Sequence, residues 1–215
     1  MKFFFFTVAG IVFLIGMILI AGTSIVRAQT IMEEWNGVKI PPPPELKEIK
    51  ITPSTTALLL LDFNSQTCNM KNRPRCIDSI PAVKKFLTEA RSKGILIVYS
   101  LSPGAEVADI AAELAPIKGE PIVTSGPDKF LGTDLDKILI EKKIDTVIVT
   151  GTAAHGAVLY TASGAAFREM KVIVPVDGLS AESLFPELYT VWNLANAPRV
   201  STKTTITKMR LISIE

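Results

Sequence analysis

The chain contains little histidine and little cysteine. Its 215 residues include one histidine and two cysteines, which is too few for the usual zinc sites built from several His and Cys ligands. We therefore predict no metal and no cofactor. The formal net charge is only +2, and the lysines and arginines are scattered rather than gathered in a stripe. This distribution argues against nucleic acid as a partner.

The first 28 residues are almost continuously apolar. Lys2 precedes the run Phe3–Ala21, and Val26-Arg27-Ala28 offers the small residues that a signal peptidase recognises. A cleaved signal peptide and a retained single-span membrane anchor both fit, because the run is nearly long enough to cross a bilayer. Either one places the remaining chain in a periplasm or outside the cell. A lipoprotein anchor is not expected, since the segment has no cysteine.

Residues 29–53 carry four consecutive prolines, Pro41–Pro44. Such a run favours an extended polyproline conformation. We predict a linker here, and the alternative is an arm that binds a partner or wraps around a dimer. Residues 54–215 are then expected to form one globular domain.

Both cysteines, Cys68 and Cys76, lie in the loop after the first predicted strand of this domain. An exported protein occupies an oxidising space, where disulfides form and persist. We therefore predict a disulfide between the two, and the alternative is a free reactive thiol.

Apolar, β-branched strands alternate with amphipathic helices along the domain. The predicted strands are Thr56–Leu61, Ile95–Leu101, Glu120–Thr124, Asp145–Thr150, Lys171–Val176 and Val200–Ile212. The predicted helices are Asp78–Ser92, Glu106–Leu114, Thr133–Lys142 (opened by a capping box of Thr133 and Asp136), Ala153–Met170 and Ser183–Ala195. This alternation predicts an α/β fold with three α/β/α layers around a mainly parallel, Rossmann-like, six-stranded sheet. Ligands of such sheets bind beyond the carboxyl ends of the strands.

The strand, turn and helix within Ile144–Gly178 resemble the isochorismatase-like hydrolase superfamily, which includes cysteine amidases and isochorismatases. The turn reads GTAAHGA at 151–157, closer to the isochorismatase pattern G-V-Y-A-H-I-G than to the amidase pattern. Ala157 stands where the amidases have their cysteine, and a methyl group cannot attack a carbonyl. Hydrolysis of a vinyl ether remains open, because it needs a proton on carbon and a water but no protein nucleophile. The resemblance covers about Thr56–Ile212.

Asp62 ends the first predicted strand and matches the aspartate of the family's first signature. We interpret it as a general acid, and the alternative is a cap on the strand end. The family's lysine aligns with Thr124, and Lys129 is the nearest amine. Lys129 is a candidate replacement, but its position next to Phe130 favours a solvated surface charge. Without a cation beside it, Asp62 is expected to act as a proton donor rather than a base.

The turn and its surroundings supply the remaining candidates. His155 is a candidate for proton transfer or for holding a ligand oxygen, and the alternative is a hydrogen bond to backbone at the helix start. The backbone amides of the turn are expected to face an anionic oxygen. The residues predicted to contact substrate are Thr124, Thr152, Ala153, Gly156, Ala157 and Tyr160; for Tyr160 the alternative is core packing.

The sequence thus favours an exported hydrolase that acts on a small molecule, anionic if the turn amides bind it, with Asp62 as general acid. The alternatives are a catalytically inactive binding protein of the same fold and a partner-binding subunit. The resemblance also implies a homo-oligomer. All of these site predictions require Asp62 and the turn at 151–157 to share one cavity.

Overall fold

The structure, a computed structural model, describes residues 29–215. The predicted signal peptide or membrane anchor at 1–28 lies outside the described residues. Within 29–215, no helix is both long enough and apolar enough to cross a membrane. The segment up to Pro41 is a unit of its own, in which the Thr30 side chain caps the one-turn helix α1, Ile31–Glu34.

From Pro42 onward, the chain builds a main sheet of parallel strands and a small second sheet. The strands are β1 (Ile49–Ile51), β2 (Thr56–Leu61), β3 (Leu96–Leu101), β4 (Ile122–Thr124), β5 (Thr146–Thr152), β6 (Lys171–Pro175), β7 (Leu179–Ser180), β8 (Thr204–Thr207) and β9 (Ile212–Ile214). The main sheet has the order β4-β3-β2-β5-β6-β8, with the short β7 beside β5, and β1 pairs with β9. Every one of these strand pairs is parallel. The predicted Rossmann-like α/β fold is confirmed, although the main sheet has seven strands rather than the predicted six, because the short β7 also pairs with β5.

Helices cover both faces of the main sheet. They are α2 (Pro74–Ser92), α3 (Leu135–Glu141), α4 (Leu159–Phe167) and α5 (Leu184–Asn196). Alternate residues of β2 point to opposite faces: Leu58 and Leu60 pack in the α2 core, and Leu59 and Leu61 pack with α3, α4 and α5. Burial on both faces explains why β2 is a continuous apolar run rather than an alternating one.

The predicted linker at 29–53 contains part of the domain. Ile49–Ile51 forms strand β1 and pairs with Ile212–Ile214, and the Lys47 amide donates to the Ile206 carbonyl at 3.0 Å. The ordered domain therefore begins before residue 54. The proline run alone marks the extended part of this segment.

The last predicted strand, Val200–Ile212, is two strands in the structure. The chain leaves β8 at Thr207 and forms a 3-10 turn at Met209–Leu211 before β9. Asp177 Oδ1 accepts a hydrogen bond from the Met209 amide at 3.0 Å. This bond turns the chain out of the main sheet, and the apolar pattern alone does not show it.

The segment Glu106–Leu114 is not an α-helix but two 3-10 turns, at Val107–Asp109 and Ala112–Leu114. Asp109 accepts a hydrogen bond from the Glu106 amide at 2.8 Å, and such a side-chain bond competes with helix formation.

The two predicted helices beside the site also begin differently. The predicted capping box of α3 is absent: Asp136 pairs with Arg168 at 3.0 Å, and only the Thr133 hydroxyl accepts from the helix, from the Leu135 amide at 3.2 Å. The predicted helix at 153–170 starts with a π-helical turn, Ala154–Val158, before α4.

Candidate functional site

The strand order places a crevice between β2 and β5. From β2 the chain adds β3 and β4 on one side, and from β5 it adds β6 and β8 on the other. This reversal is the switch point at which open α/β sheets bind ligands. Asp62 follows β2 and the turn follows β5, and both line one cavity of about 270 Å³. Its lining residues are Asp62, Thr67, Arg73, Ser102, Pro103, Ser125, Gly126, Pro127, Thr152, Ala153, His155, Gly156 and Ala157.

Gly151 lets β5 approach β2 closely at the base of this cavity. Its φ is +139°, and a Cβ built there would lie 2.2 Å from the Leu61 carbonyl oxygen. A larger residue would therefore clash with the backbone of the neighbouring strand. The glycine fixes the relative position of the two strand ends that carry the site.

Asp62 is buried and fully engaged. Its residue is 5% exposed, and its φ of 56° is in the left-handed region, which non-glycine residues rarely adopt. Ser100 Oγ donates to Oδ1 at 2.7 Å, and the Thr67 hydroxyl donates to the Asp62 carbonyl oxygen. Lys129 Nζ lies 2.8 Å from Oδ2. Each carboxylate oxygen thus has a partner.

Lys129 is not the solvated surface charge that its sequence position favours. Its side chain is 0% exposed and its ammonium pairs with Asp62. Nζ also donates to the Ser125 carbonyl at 3.0 Å. The candidate replacement for the family's lysine therefore lies beside the aspartate. Asp62 was expected to be a proton donor rather than a base because no cation lay beside it. That premise is wrong, since Lys129 is its neighbour.

The loop after β4 explains how Lys129 reaches Asp62. The Lys129 amide donates to Thr161 Oγ1 at 3.2 Å, and the Ser125 hydroxyl donates to the Leu131 carbonyl at 2.8 Å. These bonds fold residues 125–131 back over the end of the sheet, so the lysine side chain points inward. An offset counted along the sequence cannot show this direction.

Two predicted contacts lie away from the cavity. Thr124 ends β4 on the exposed surface and is not among the lining residues. Tyr160 is 54% exposed and lines neither the cavity nor the core. Its neighbour Thr161 is fully buried and, through the Lys129 amide, supports the site. The other predicted residues, Thr152, Ala153, Gly156 and Ala157, all line the cavity.

The turn offers fewer free amides than its sequence predicts. The Gly156 and Val158 amides both donate to the Ala153 carbonyl, at 3.0 and 3.3 Å, so neither is free for a ligand oxygen. Ala157 contributes only a methyl group. Both cysteines of the chain are bonded to each other, so the cavity has no thiol.

The Cys68–Cys76 disulfide closes a loop that carries one lining residue and directly follows another. The cysteine Cα atoms are 5.3 Å apart, and both residues are buried. Thr67 precedes this loop, and Arg73 lies within it. The bridge therefore fixes one wall of the cavity.

His155 and Arg73 flank one carboxylate, that of Glu182. His155 Nε2 lies 3.7 Å from Glu182 Oε1, and Arg73 Nε lies 3.8 Å from Oε2. His155 Nδ1 is buried with no hydrogen-bond partner among residues 29–215. His155 Nδ1 therefore makes no hydrogen bond to backbone, which was the alternative to a functional role for this residue. The sequence reasoning missed Arg73, although its place in the loop after the first strand put it at the carboxyl edge of the sheet.

No group of three His, Cys, Asp or Glu residues within 29–215 is arranged to hold a metal ion. The arrangement instead brings together a buried Asp62–Lys129 ion pair, an arginine and a histidine. Such a site can move protons and bind a polar ligand.

Comparison with known proteins places the fold in a family. The Isochorismatase domain matches residues 56–205. The chain is 28% identical over 146 residues to the secreted isochorismatase effector Isc1 of Verticillium dahliae, covering 60% of this chain and 77% of that protein. It is 27% identical over 124 residues to N-carbamoylsarcosine amidase of Arthrobacter sp., covering 45% of this chain and 47% of the amidase. The matched segment thus spans about half the length of the amidase.

Solved structures agree. An isochorismatase-like hydrolase from Alkaliphilus metalliredigens is 27% identical, with a TM-score of 0.66 over 73% of this chain and 95% of that one. The domain match, which covers most of the chain, and this shared fold lead to one conclusion: the protein belongs to the isochorismatase-like hydrolase family.

Proposed function

We propose that this protein hydrolyses a small molecule by proton transfer from Asp62, without a protein nucleophile. The observation that carries the proposal is the buried Asp62–Lys129 ion pair, at 2.8 Å, in the wall of the switch-point cavity. A charge pair is costly to bury, so an ion pair buried at the wall of a cleft is a candidate for function.

The reaction that best fits is the hydrolysis of a vinyl ether. The Asp62 carboxyl gives its proton to the terminal alkene carbon, which leaves an oxocarbenium ion. Water adds to this ion, and the resulting hemiketal splits into a carbonyl compound and an alcohol as the water's second proton moves to the alcohol oxygen and its first returns to the carboxylate. In the resting ion pair the proton for the first step is on Lys129, whose ammonium lies 2.8 Å from Oδ2. It passes to Asp62 as Asp62 protonates the carbon, and the proton that water gives back to Asp62 returns to Lys129, so each turnover restores the pair.

Amide hydrolysis through an acyl-enzyme fits less well. The attacking group would have to be a cysteine thiolate at position 157, and that position is Ala157. The N-carbamoylsarcosine amidase relative keeps small amides among the compounds to test.

The test is a panel of matched vinyl ethers, esters and amides, with products followed by NMR. The proposal expects turnover of a vinyl ether and, in D₂O, one deuterium on the carbon that receives the proton. Turnover that hydroxylamine diverts into a hydroxamate would reveal an acyl intermediate and contradict the mechanism. A small acid that raises Tm without any turnover would indicate a binding protein instead.

We also infer that the protein is exported. The apolar run at 3–21, the Cys68–Cys76 disulfide and the secreted relative support this inference, because disulfides persist outside the cytoplasm. Fractionation of cells that express the full chain, with the N-terminus read by mass spectrometry, tests it. Recovery of the uncleaved protein in the cytosol would contradict it. Membrane anchoring and homo-oligomerisation stay predictions.

A further inference from the structure

We propose that Arg73 recognises a carboxylate on the ligand, with His155 beside it, so that the substrate is a small carboxylic acid. The assignment of a substrate rests on the proposed function, whereas the binding of an acid does not. Both residues line the same cavity as Asp62. The sequence analysis named the turn amides at 151–157 for an anion, and of these the Gly156 amide is occupied by the Ala153 carbonyl.

Most N–H donors of the Arg73 guanidinium have no hydrogen-bond partner among residues 29–215. A guanidinium carries five N–H donors in a planar fork that matches the two oxygens of a carboxylate. Among residues 29–215, the Arg73 guanidinium donates one hydrogen bond, from Nη1 to the Thr67 carbonyl at 3.1 Å. Its Nε–Glu182 distance of 3.8 Å exceeds hydrogen-bond length. The side chain is 24% exposed, so a ligand in the cavity can reach it.

Lys129 cannot take this role. Its ammonium is fully buried, pairs with Asp62 and donates to the Ser125 carbonyl. A ligand carboxylate would have to break that ion pair to gain the lysine. Arg73, in contrast, lines the cavity, and no carboxylate of residues 29–215 lies at hydrogen-bond distance from its guanidinium.

Glu182 lies near both Arg73 and His155 and competes with a ligand carboxylate for them. Its side chain is 46% exposed and lies 3.8 Å from Arg73 and 3.7 Å from His155, and it is not a lining residue. At these distances and this exposure its attraction for either group is small. A ligand carboxylate that hydrogen-bonds directly to Arg73 replaces a weak contact by a stronger one.

The loop presents Arg73 in a fixed place. Arg73 precedes Pro74 at the start of α2 and lies between the two bonded cysteines, Cys68 and Cys76. Because the loop is closed before a ligand arrives, little chain entropy is lost when the acid binds.

The experiment compares acids with amides of the same shape. Calorimetry on the purified full chain measures the Kd of acetate, pyruvate and benzoate, and of acetamide, pyruvamide and benzamide. At least one acid should bind more tightly than its amide. Arg73→Gln should weaken that acid about tenfold to a hundredfold, the usual worth of a charged hydrogen bond, and leave the amide nearly unchanged. A loss of structure would weaken both alike, so the acid-to-amide ratio separates the two causes.

Two further variants sharpen the test. Arg75→Gln is the matched control, because Arg75 lies two residues away, pairs with Glu187 at 2.6 Å and is not a lining residue. It should leave the ratio unchanged. Glu182→Gln removes the competing carboxylate and should tighten acid binding about twofold to fivefold, the worth of a weak exposed pair.

Failure of the carboxylate site and failure of the hydrolase proposal give different results. An acid-to-amide ratio that Arg73→Gln leaves unchanged overturns this inference even if a vinyl ether is hydrolysed. No acid binding at millimolar concentration in the wild type overturns it as well. Acid binding that depends on Arg73, without any turnover, supports the carboxylate site and counts against the hydrolase.

Discussion

Asp62 and Asp177 follow parallel strands of the same sheet, β2 and β6, and meet different surroundings. Asp62 is buried between Ser100 Oγ and Lys129 Nζ, at 2.7 and 2.8 Å, in the wall of the switch-point cavity. Asp177 is half-buried in a 3-10 turn and accepts a hydrogen bond from the Met209 amide at 3.0 Å. One carboxylate meets a charged side chain, and the other meets only backbone.

The difference lies in where each strand stands in the sheet. At β2 and β5 the connections leave in opposite directions, which opens a crevice beyond the strand ends. After β6 the chain continues into β7 and α5, and Asp177 ties the approach to β9 in place. Of these two strand-end aspartates, only the one at the point of reversal lines the cavity. The other serves the turn.

The largest expected effect is on catalysis. Asp62→Asn keeps the size of the side chain but removes its acidity, so kcat/KM for a turned-over substrate should fall about 10²- to 10⁴-fold, the usual worth of general acid–base catalysis. Asp177→Asn should leave kcat/KM unchanged. Equal losses in the two variants would abolish the distinction between the two aspartates.

The next effect is on stability at the β2 end. Lys129→Met leaves the Asp62 carboxylate buried without its cation, and the free energy of unfolding should fall by about 3–5 kcal/mol. Urea unfolding measures this loss. In the double variant Asp62→Asn/Lys129→Met no unpaired charge remains, so part of the loss should be recovered. If Lys129→Met alone lowers the free energy of unfolding by less than about 1 kcal/mol, the ion pair is not buried.

Loss of the disulfide, which lies beyond the β2 end of the sheet, should lower the free energy of unfolding less than loss of the Lys129 charge. Replacing both Cys68 and Cys76 by serine removes the crosslink of a short loop and should cost about 2–3 kcal/mol of unfolding free energy. Fully reduced wild type is the matched control and should unfold at the same urea concentration as the double variant. A double variant as stable as the oxidised wild type would show that the bridge does not hold the cavity wall.

The smallest effect is at the β6 end. Asp177→Ala removes the acceptor of the Met209 amide and should cost about 1 kcal/mol, the net worth of one hydrogen bond. Asp177→Asn keeps an acceptor oxygen and should cost less. Thermal or urea unfolding of the pair measures both. A greater loss for asparagine than for alanine would mean that the charge, not the hydrogen bond, stabilises this turn.

The sequence predicts the sheet well because its inner strands are buried on both faces. Thr56–Leu61 has the predicted bounds. The amphipathic helix predicted at Asp78–Ser92 lies within α2, and its apolar residues Ile80, Val83 and Phe86 are buried. Asp62 at the end of β2 was identifiable for the same reason, since a strand of known direction carries its last residue to a known edge.

The contents of the cavity were harder to predict, because loops supply them. Lys129 points inward through hydrogen bonds with Ser125 and Thr161, and no periodic pattern encodes those bonds. Arg73 reaches the cavity through a loop whose path depends on the disulfide. Tyr160 was misplaced because the π-helical turn before α4 shifts which residues face the sheet.

Ala157 places a methyl group in the wall of a cavity that has no free thiol among its lining residues. Its side chain is 4% exposed and lines the cavity with Asp62, so Ala157→Cys would insert a sulfur atom into an otherwise unchanged setting. The variant would therefore measure what a thiol at this position contributes by adding the sulfur atom rather than by removing one.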